Sequence, residues 1–240
     1  MSQPTQPVWF IADATTGLAA ALAEAVLASG QYAVLAARAP AQLQALVDRH
    51  PDRALALALD VTNAASVDTA VRTAERQFGR IDVLATSAAQ RYPGAIEEGE
   101  EGAMRALFEE NVFGPINLAR RVLPGMRERG FGRVLFTSSV AGLTGGIIGP
   151  HYAASKAGLH GLTHHLAARV VREGVTVNAI APALIADTRM LPGDPEQLAA
   201  RVPVGRLGTP AEVADLALAI LRNGYLTSKV IALDGGMYPT

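Results

Sequence analysis

The chain contains no cysteine, which excludes disulfides, thiolate metal sites and a cysteine nucleophile, and which accords with the reducing cytoplasm expected as its location. Long apolar runs are missing too. Half of the residues are hydrophobic, yet Gly, Pro, Asn or charge interrupts every stretch long enough to span a bilayer, so no transmembrane helix is expected. Excess charge of either sign is also missing. A formal net charge of −1 argues against nucleic acid or an anionic membrane as the main partner. The pair Arg120-Arg121 has acidic neighbours and reads as a solvated helix face. The opening segment MSQPTQPVWF has neither a basic stretch nor a cleavable apolar core, and residues 1–7 are expected to form a flexible tail. No repeat, low-complexity tract or linker-like shift divides the chain, so the expectation is one domain over 1–240.

What is present is an alternation. The short apolar runs VWFIAD, YAVLAA, ALALALD, IDVLAT, GRVLFTSS, VTVNAIAP and KVIALDGG are separated by longer helical stretches. These include GLAAALAEAVLAS, PAQLQALVDRH, AASVDTAVRTAERQF, GAMRALFEENVFGPINLARRVLPGMRER, YAASKAGLHGLTHHLAARVVRE and PAEVADLALAILRN. The strand candidates are apolar throughout and do not alternate with polar residues, as expected when helices cover both faces of a parallel sheet. The fold expected is therefore α/β, a Rossmann-like doubly wound parallel sheet of about seven strands. In such sheets ligands bind beyond the carboxyl ends of the strands.

The first strand–helix junction raises the question of a nucleotide. A helix N-terminus presents unpaired N–H groups and a partial positive charge that can seat a pyrophosphate. A glycine-rich loop in this register needs glycines at 13, 17 and 19, and the chain has Asp13, Gly17 and Ala19. Ala is tolerated at the third position, whereas a carboxylate at the first repels a diphosphate unless it turns away to cap nearby N–H groups. The second strand ends in Ala37-Arg38, where a cation suits a ribose 2′-phosphate, so NADP(H) is favoured over NAD(H). The third run ends in Asp60-Val61, suited to holding an adenine edge or to an ordinary helix-capping turn.

Further along, YAASK puts Tyr152 and Lys156 at i and i+4 on one helical face. A nearby ammonium stabilises tyrosinate and fits the phenol for proton transfer. Ser139, thirteen residues before the tyrosine, closes the strand GRVLFTSS and can hydrogen-bond a substrate oxygen. Asn111, within the long preceding helix, can hold a water that links Lys156 to solvent.

Together with Asp60-Val61, ENVFG, TSSVAG, VTVNAIAP, PVGRLGTPAEVA and VIALDGG, these residues make the chain resemble the short-chain dehydrogenase/reductase family over nearly its whole length. The resemblance implies Tyr152 as general acid/base, Ser139 as the group polarising the substrate oxygen, Lys156 on the nicotinamide ribose, and Asn111 in a proton relay. It implies cofactor contacts from Thr15, Gly17, Leu18, Arg38, Asp60, Val61, Ala88, Tyr152, Lys156, Pro182, Ile185 and Thr188. It also implies a small carbonyl or alcohol substrate, and a homotetramer or homodimer built on the GPINLARRVLPGM and YAASKAGLHGLTHHLAARV helices. Departures fall on cofactor contacts: the loop runs Ala12-Asp13-Ala14-Thr15-Thr16-Gly17-Leu18-Ala19, and TSAA at 86–89 stands where the family has N-N-A-G. Ala183 stands in place of glycine after Pro182. Two other readings stay open, a cofactor-free enzyme similar to the halohydrin dehalogenases and a non-catalytic nucleotide-binding or scaffold protein.

Several features invite bland readings. His160, His164 and His165 have a spacing that can bind zinc but no Glu or Cys partner, and no metal site is expected. His151 precedes the tyrosine and reads equally as a substrate contact or an inert residue. Residues Ala186 to Pro203 are expected to form a short lid.

Overall fold

A computed structural model describes residues 6–87, 95–188, 191 and 193–238. The strands are β1 (Val8–Ala12), β2 (Tyr32–Ala37), β3 (Ala54–Ala58), β4 (Val83–Thr86), β5 (Gly132–Thr137), β6 (Val175–Pro182) and β7 (Val230–Leu233). They form one seven-stranded sheet in the order β3-β2-β1-β4-β5-β6-β7, and every pairing is parallel. The expected doubly wound fold is therefore present. At the end of the tail expected over 1–7, the Pro7 carbonyl accepts from the Tyr32 amide at 3.3 Å.

The continuous apolar strands follow from two cores, one on each face. Val8, Phe10 and Ala12 of β1 point into one core, with Val34, Val134 and Val177. The alternate residues Trp9 and Ile11 point into the other, with Leu35, Leu135 and Ile180. A strand covered on both faces has no polar side to give away. The first core is closed by α3 (Ala64–Phe78), α5 (Gly114–Glu128) and α7 (Pro150–Val170), and the second by α1 (Gly17–Ala28), α2 (Gln44–Arg49) and α9 (Pro210–Arg222).

One expected element is divided. The stretch read as a single long helix is α4 (Glu101–Phe108), a π-helical turn (Glu109–Phe113) and then α5. The Gly114 amide donates to the Glu109 carbonyl, five residues back. The following residue is Pro115, which has no N–H to offer the carbonyl of Asn111 four residues before it. Proline thus forces the ladder to widen at this turn, where Asn111 is fully buried.

Candidate active site

Strand order reverses at β1, which pairs β2 on one side and β4 on the other. The crevice beyond the carboxyl ends at this switch point is the expected ligand site. A cavity of about 970 Å³ opens there. It runs from Arg38 and Gln42 past the β1–α1 loop to Tyr152, and on to Ile147, Leu198 and Met237.

Thr15, Gly17, Leu18, Arg38, Pro182, Ile185 and Thr188, all expected near a cofactor, line this cavity. Gly17 is kept for a packing reason: a Cβ there would lie 3.1 Å from the Asp187 carbonyl oxygen and 3.6 Å from Thr188 Cγ2. The segment after β6 therefore lies across the start of α1. The Thr188 hydroxyl donates to the Ile185 carbonyl at 2.9 Å and holds that segment. Asp13 keeps the turn that a glycine would make. Its φ is +57°, a left-handed conformation that Asp tolerates better than most residues. Its carbonyl accepts from the Thr16 amide at 2.9 Å. The side-chain oxygen Oδ2 is buried and has no hydrogen-bond partner among the described residues, so it is not turned to a loop N–H. Burial, then the charge of Glu110, raises the Asp13 carboxyl to about 6.

Two expected cofactor contacts, Val61 and Asp60, are not on the cavity wall. Val61 is buried beneath Gly114, where an added Cβ would stand 2.6 Å from Val61 Cγ2. Asp60 is held off the cavity wall by its own turn, accepting from the Thr62 amide at 3.0 Å and the Thr62 hydroxyl at 2.7 Å, and these bonds lower its pKa. Ala88 lies outside the described residues. Arg38 reaches the cavity already paired, donating to Glu110 at 3.0 Å and lying 3.9 Å from Asp60.

At the other end, Ser139, Tyr152 and Lys156 line the same cavity. The strand stops at Thr137, two residues before Ser139, so Ser139 stands on the turn into α6 (Ala141–Thr144) and not in β5. Its Oγ accepts from the Ala141 amide at 3.1 Å. Lys156 is buried; its Nζ donates to the Thr137 carbonyl at 2.9 Å and sits 5.7 Å from the centre of the Tyr152 ring. Burial lowers the ammonium to about 8, against the opposing pull of Asp13. Asn111 is outside the cavity lining. It donates to Ser155 Oγ at 3.1 Å, and Ser155 in turn donates to the Tyr152 carbonyl at 2.8 Å, so the π turn braces the helix that carries the tyrosine. Behind the site, Ser138 Oγ donates to the Lys156 carbonyl at 3.0 Å and contacts His160 Nε2 at 2.7 Å.

That contact accounts for His160, while His164 meets Ser228 Oγ at 3.1 Å. Among the described residues no group of three or more His, Asp or Glu side chains could hold a metal. His151 is buried and not part of the cavity wall; a Cβ on Gly99 would lie 2.5 Å from its Nε2. Within the expected lid, Asp194 caps α8 (Pro195–Ala199) by accepting from the Glu196 and Gln197 amides, and Leu191, Leu198 and Arg201 face the cavity. Sequence reasoning missed Glu110, Ser87 and Thr137 as lining residues. Glu110 acts across 72 residues on Arg38, which no local pattern signals.

The arrangement fits a dinucleotide. Thr16, at the N-cap of α1, makes no side-chain capping bond, so the first-turn N–H groups of that helix are left for an anion. The cavity is at the upper end of the size range for ligand pockets. The unpartnered Asp13 carboxyl is discordant with it.

A doubly wound sheet with an uncapped helix start and a Ser, Tyr and Lys wall at its switch point is an arrangement suited to a dinucleotide and to proton transfer beside it. The chain belongs to the short-chain dehydrogenase family, whose model matches residues 7–199. It is 32% identical over 237 residues to a 3-oxoacyl-[acyl-carrier-protein] reductase of Vibrio cholerae, spanning 96% of this chain and 97% of that protein. The Escherichia coli reductase of the same name is 31% identical, over 95% of this chain and 96% of its own. A short-chain reductase, NovJ, of Streptomyces niveus is 32% identical, over 96% and 94% respectively. Among the described residues no helix is long and apolar enough to cross a membrane.

Proposed function

We propose that this single-domain protein interconverts a ketone and a secondary alcohol, with NADP(H) favoured over NAD(H). The observation that carries the reading is the convergence of Ser139, Tyr152 and Lys156 on the cavity that begins at the start of α1. The bound nicotinamide would supply or accept the hydride. Thr15, Gly17 and Leu18 would hold its pyrophosphate, Lys156 its ribose, and Pro182, Ile185 and Thr188 its far end. Ser139 Oγ donates a hydrogen bond to the substrate oxygen. Tyr152 gives that oxygen its proton during reduction, and the Lys156 ammonium favours the phenolate left behind. Asn111 steadies α7 through Ser155. Arg38 is the cation at the adenosine end, and with 52% of its side chain exposed it is open to a 2′-phosphate.

The substrate end is mainly apolar, with Ile147, Ile148, Leu191, Leu198 and Met237 on its walls beside Arg201. A carbonyl compound with an apolar body suits it, and the similarity to the Vibrio cholerae and Escherichia coli 3-oxoacyl reductases puts a 3-oxoacyl thioester at the head of a test panel. Phe113 and Val171, at the ends of the two helices expected to form an interface, are exposed apolar residues that a homodimer or homotetramer would cover. A cytoplasmic location belongs to the same reading, resting on the absence of cysteine.

The test is NADPH consumption across a ketone panel by the wild-type protein and Tyr152→Phe. Turnover by the wild type, reduced at least about a hundredfold in the variant with cofactor binding retained, supports the reading. Tight cofactor binding without turnover on any ketone or alcohol counts against it. Halide release from a haloalcohol without cofactor would replace it with the dehalogenase-like alternative.

A further inference from the structure

We infer that Asp13 couples dinucleotide binding to protons: its carboxylate, turned into the phosphate loop without a partner, must take up a proton from solvent when the pyrophosphate seats. The inference rests on the dinucleotide reading of the cavity. Asp13 occupies the turn four residues ahead of Gly17 and lines the cavity wall. Its buried Oδ2 meets no donor among the described residues, so nothing within the loop compensates its charge.

The groups that face it come from four other elements. Glu110 on the π turn and Asp60 after β3 add negative charge, while Arg38 after β2 and Lys156 on α7 oppose it. Thr16 and Ser87, two uncharged polar residues of the crevice, have hydroxyls 3.3 Å apart that serve each other. Arg38 cannot turn wholly to Asp13, because Glu110 holds it at 3.0 Å. Three carboxyls therefore share two cations, and a pyrophosphate adds two more negative charges to the same crevice. The carboxyl that gives way is Asp13, already raised to about 6 by burial and by Glu110. Asp60 is held ionised by the Thr62 turn. The loop thus keeps the shape of a glycine-rich turn and gains a titratable group in return. Binding strengthens as pH falls, and a proton moves from water to an Asp13 oxygen with each dinucleotide bound.

Calorimetric titration with NADH tests this, since its pyrophosphate does not titrate near neutrality whereas the NADPH 2′-phosphate does. The wild type, Asp13→Asn and Asp13→Gly would be measured between pH 6 and 7.5, in buffers of differing ionisation enthalpy. Asn tolerates the left-handed turn and Gly restores it, so both keep the loop. The expected result for the wild type is uptake of close to one proton and about tenfold weaker binding at the higher pH. At pH 6.5, where Lys156 is still an ammonium, both variants should take up far less than the wild type, and at pH 7.5 both should bind more tightly. NADH binding by the wild type with no proton uptake, or uptake undiminished in Asp13→Asn, overturns the inference and leaves the dinucleotide site standing. Failure of all three proteins to bind NADH or NADPH removes the site itself.

Discussion

Gly142→Ala probes how closely the two halves of the catalytic wall must approach. Gly142 sits in α6, directly after the Ser139 turn. A Cβ there would lie 2.8 Å from the Ala157 amide nitrogen, 2.9 Å from the Lys156 carbonyl carbon and 2.9 Å from His160 Cε1. Two of the three are backbone of α7, and they cannot rotate away. The helix is pinned at this level by Lys156 Nζ to the Thr137 carbonyl and by Ser138 Oγ to the Lys156 carbonyl. Restoring ordinary contact requires α6 and α7 to separate by roughly half an ångström, and overpacking of this kind costs about 1–3 kcal/mol. The better helix propensity of Ala returns about 1 kcal/mol, leaving a net loss of about 0–2 kcal/mol. Because the separation moves Ser139 away from Lys156, kcat on a panel ketone should fall about tenfold or more. Urea denaturation and steady-state kinetics measure the two effects. Gly102→Ala in α4, where an added Cβ meets nothing within 4 Å, is the control and should be no less stable than wild type, gaining up to about 1 kcal/mol. A Gly142→Ala protein as stable and as active as that control would refute the packing argument.

Asp13→Asn should stabilise the protein above pH 6. The folded-state pKa of Asp13 is raised from 3.8 to about 6, so its destabilisation is absent below about pH 4, grows as pH rises to 6 and is complete beyond it. Removal of the charge should return up to about 3 kcal/mol at pH 7.5 and little at pH 4, by denaturant melts at both. In the cofactor-free enzyme the same substitution removes the charge that supports the Lys156 ammonium, so the alkaline limb of kcat/KM for the cofactor, expected near pH 8 in the wild type, should shift to lower pH. An unmoved limb would show that Asp13 does not reach Lys156. Arg38→Ala should weaken NADPH about tenfold and leave NADH within about twofold, read by calorimetry. Equal losses for both cofactors would make Arg38 a structural partner of Glu110 alone.

The fold was legible because a sheet covered on both faces writes itself as apolar runs such as VWFIAD and VTVNAIAP, and those became strands. Ser139, Tyr152 and Lys156 were legible because a strand end and a helical i, i+4 spacing are local properties. The break around Asn111 was not foreseen, although Pro115 was visible, because proline at a helix start and proline at a π turn look alike without the preceding helix in place. Asp60 and Val61 resembled cofactor contacts by position. Whether such residues face a cavity or their own turn depends on Thr62 and Gly114, and so on packing between distant segments. The pairing of Arg38 with Glu110 is of the same kind, and so is the isolation of the Asp13 carboxyl. Local chemistry fixed which residues were candidates; long-range packing decided what each one touches.

The most direct test of the central claim is a single-product isotope measurement with NADPH carrying deuterium at nicotinamide C4. The alcohol formed from a panel ketone would be weighed by mass spectrometry after reaction with each C4 epimer. The account predicts that one epimer transfers its deuterium to the carbinol carbon and that Tyr152→Phe yields almost no labelled alcohol. Ketone or haloalcohol turnover with no deuterium in the product from either epimer would contradict it.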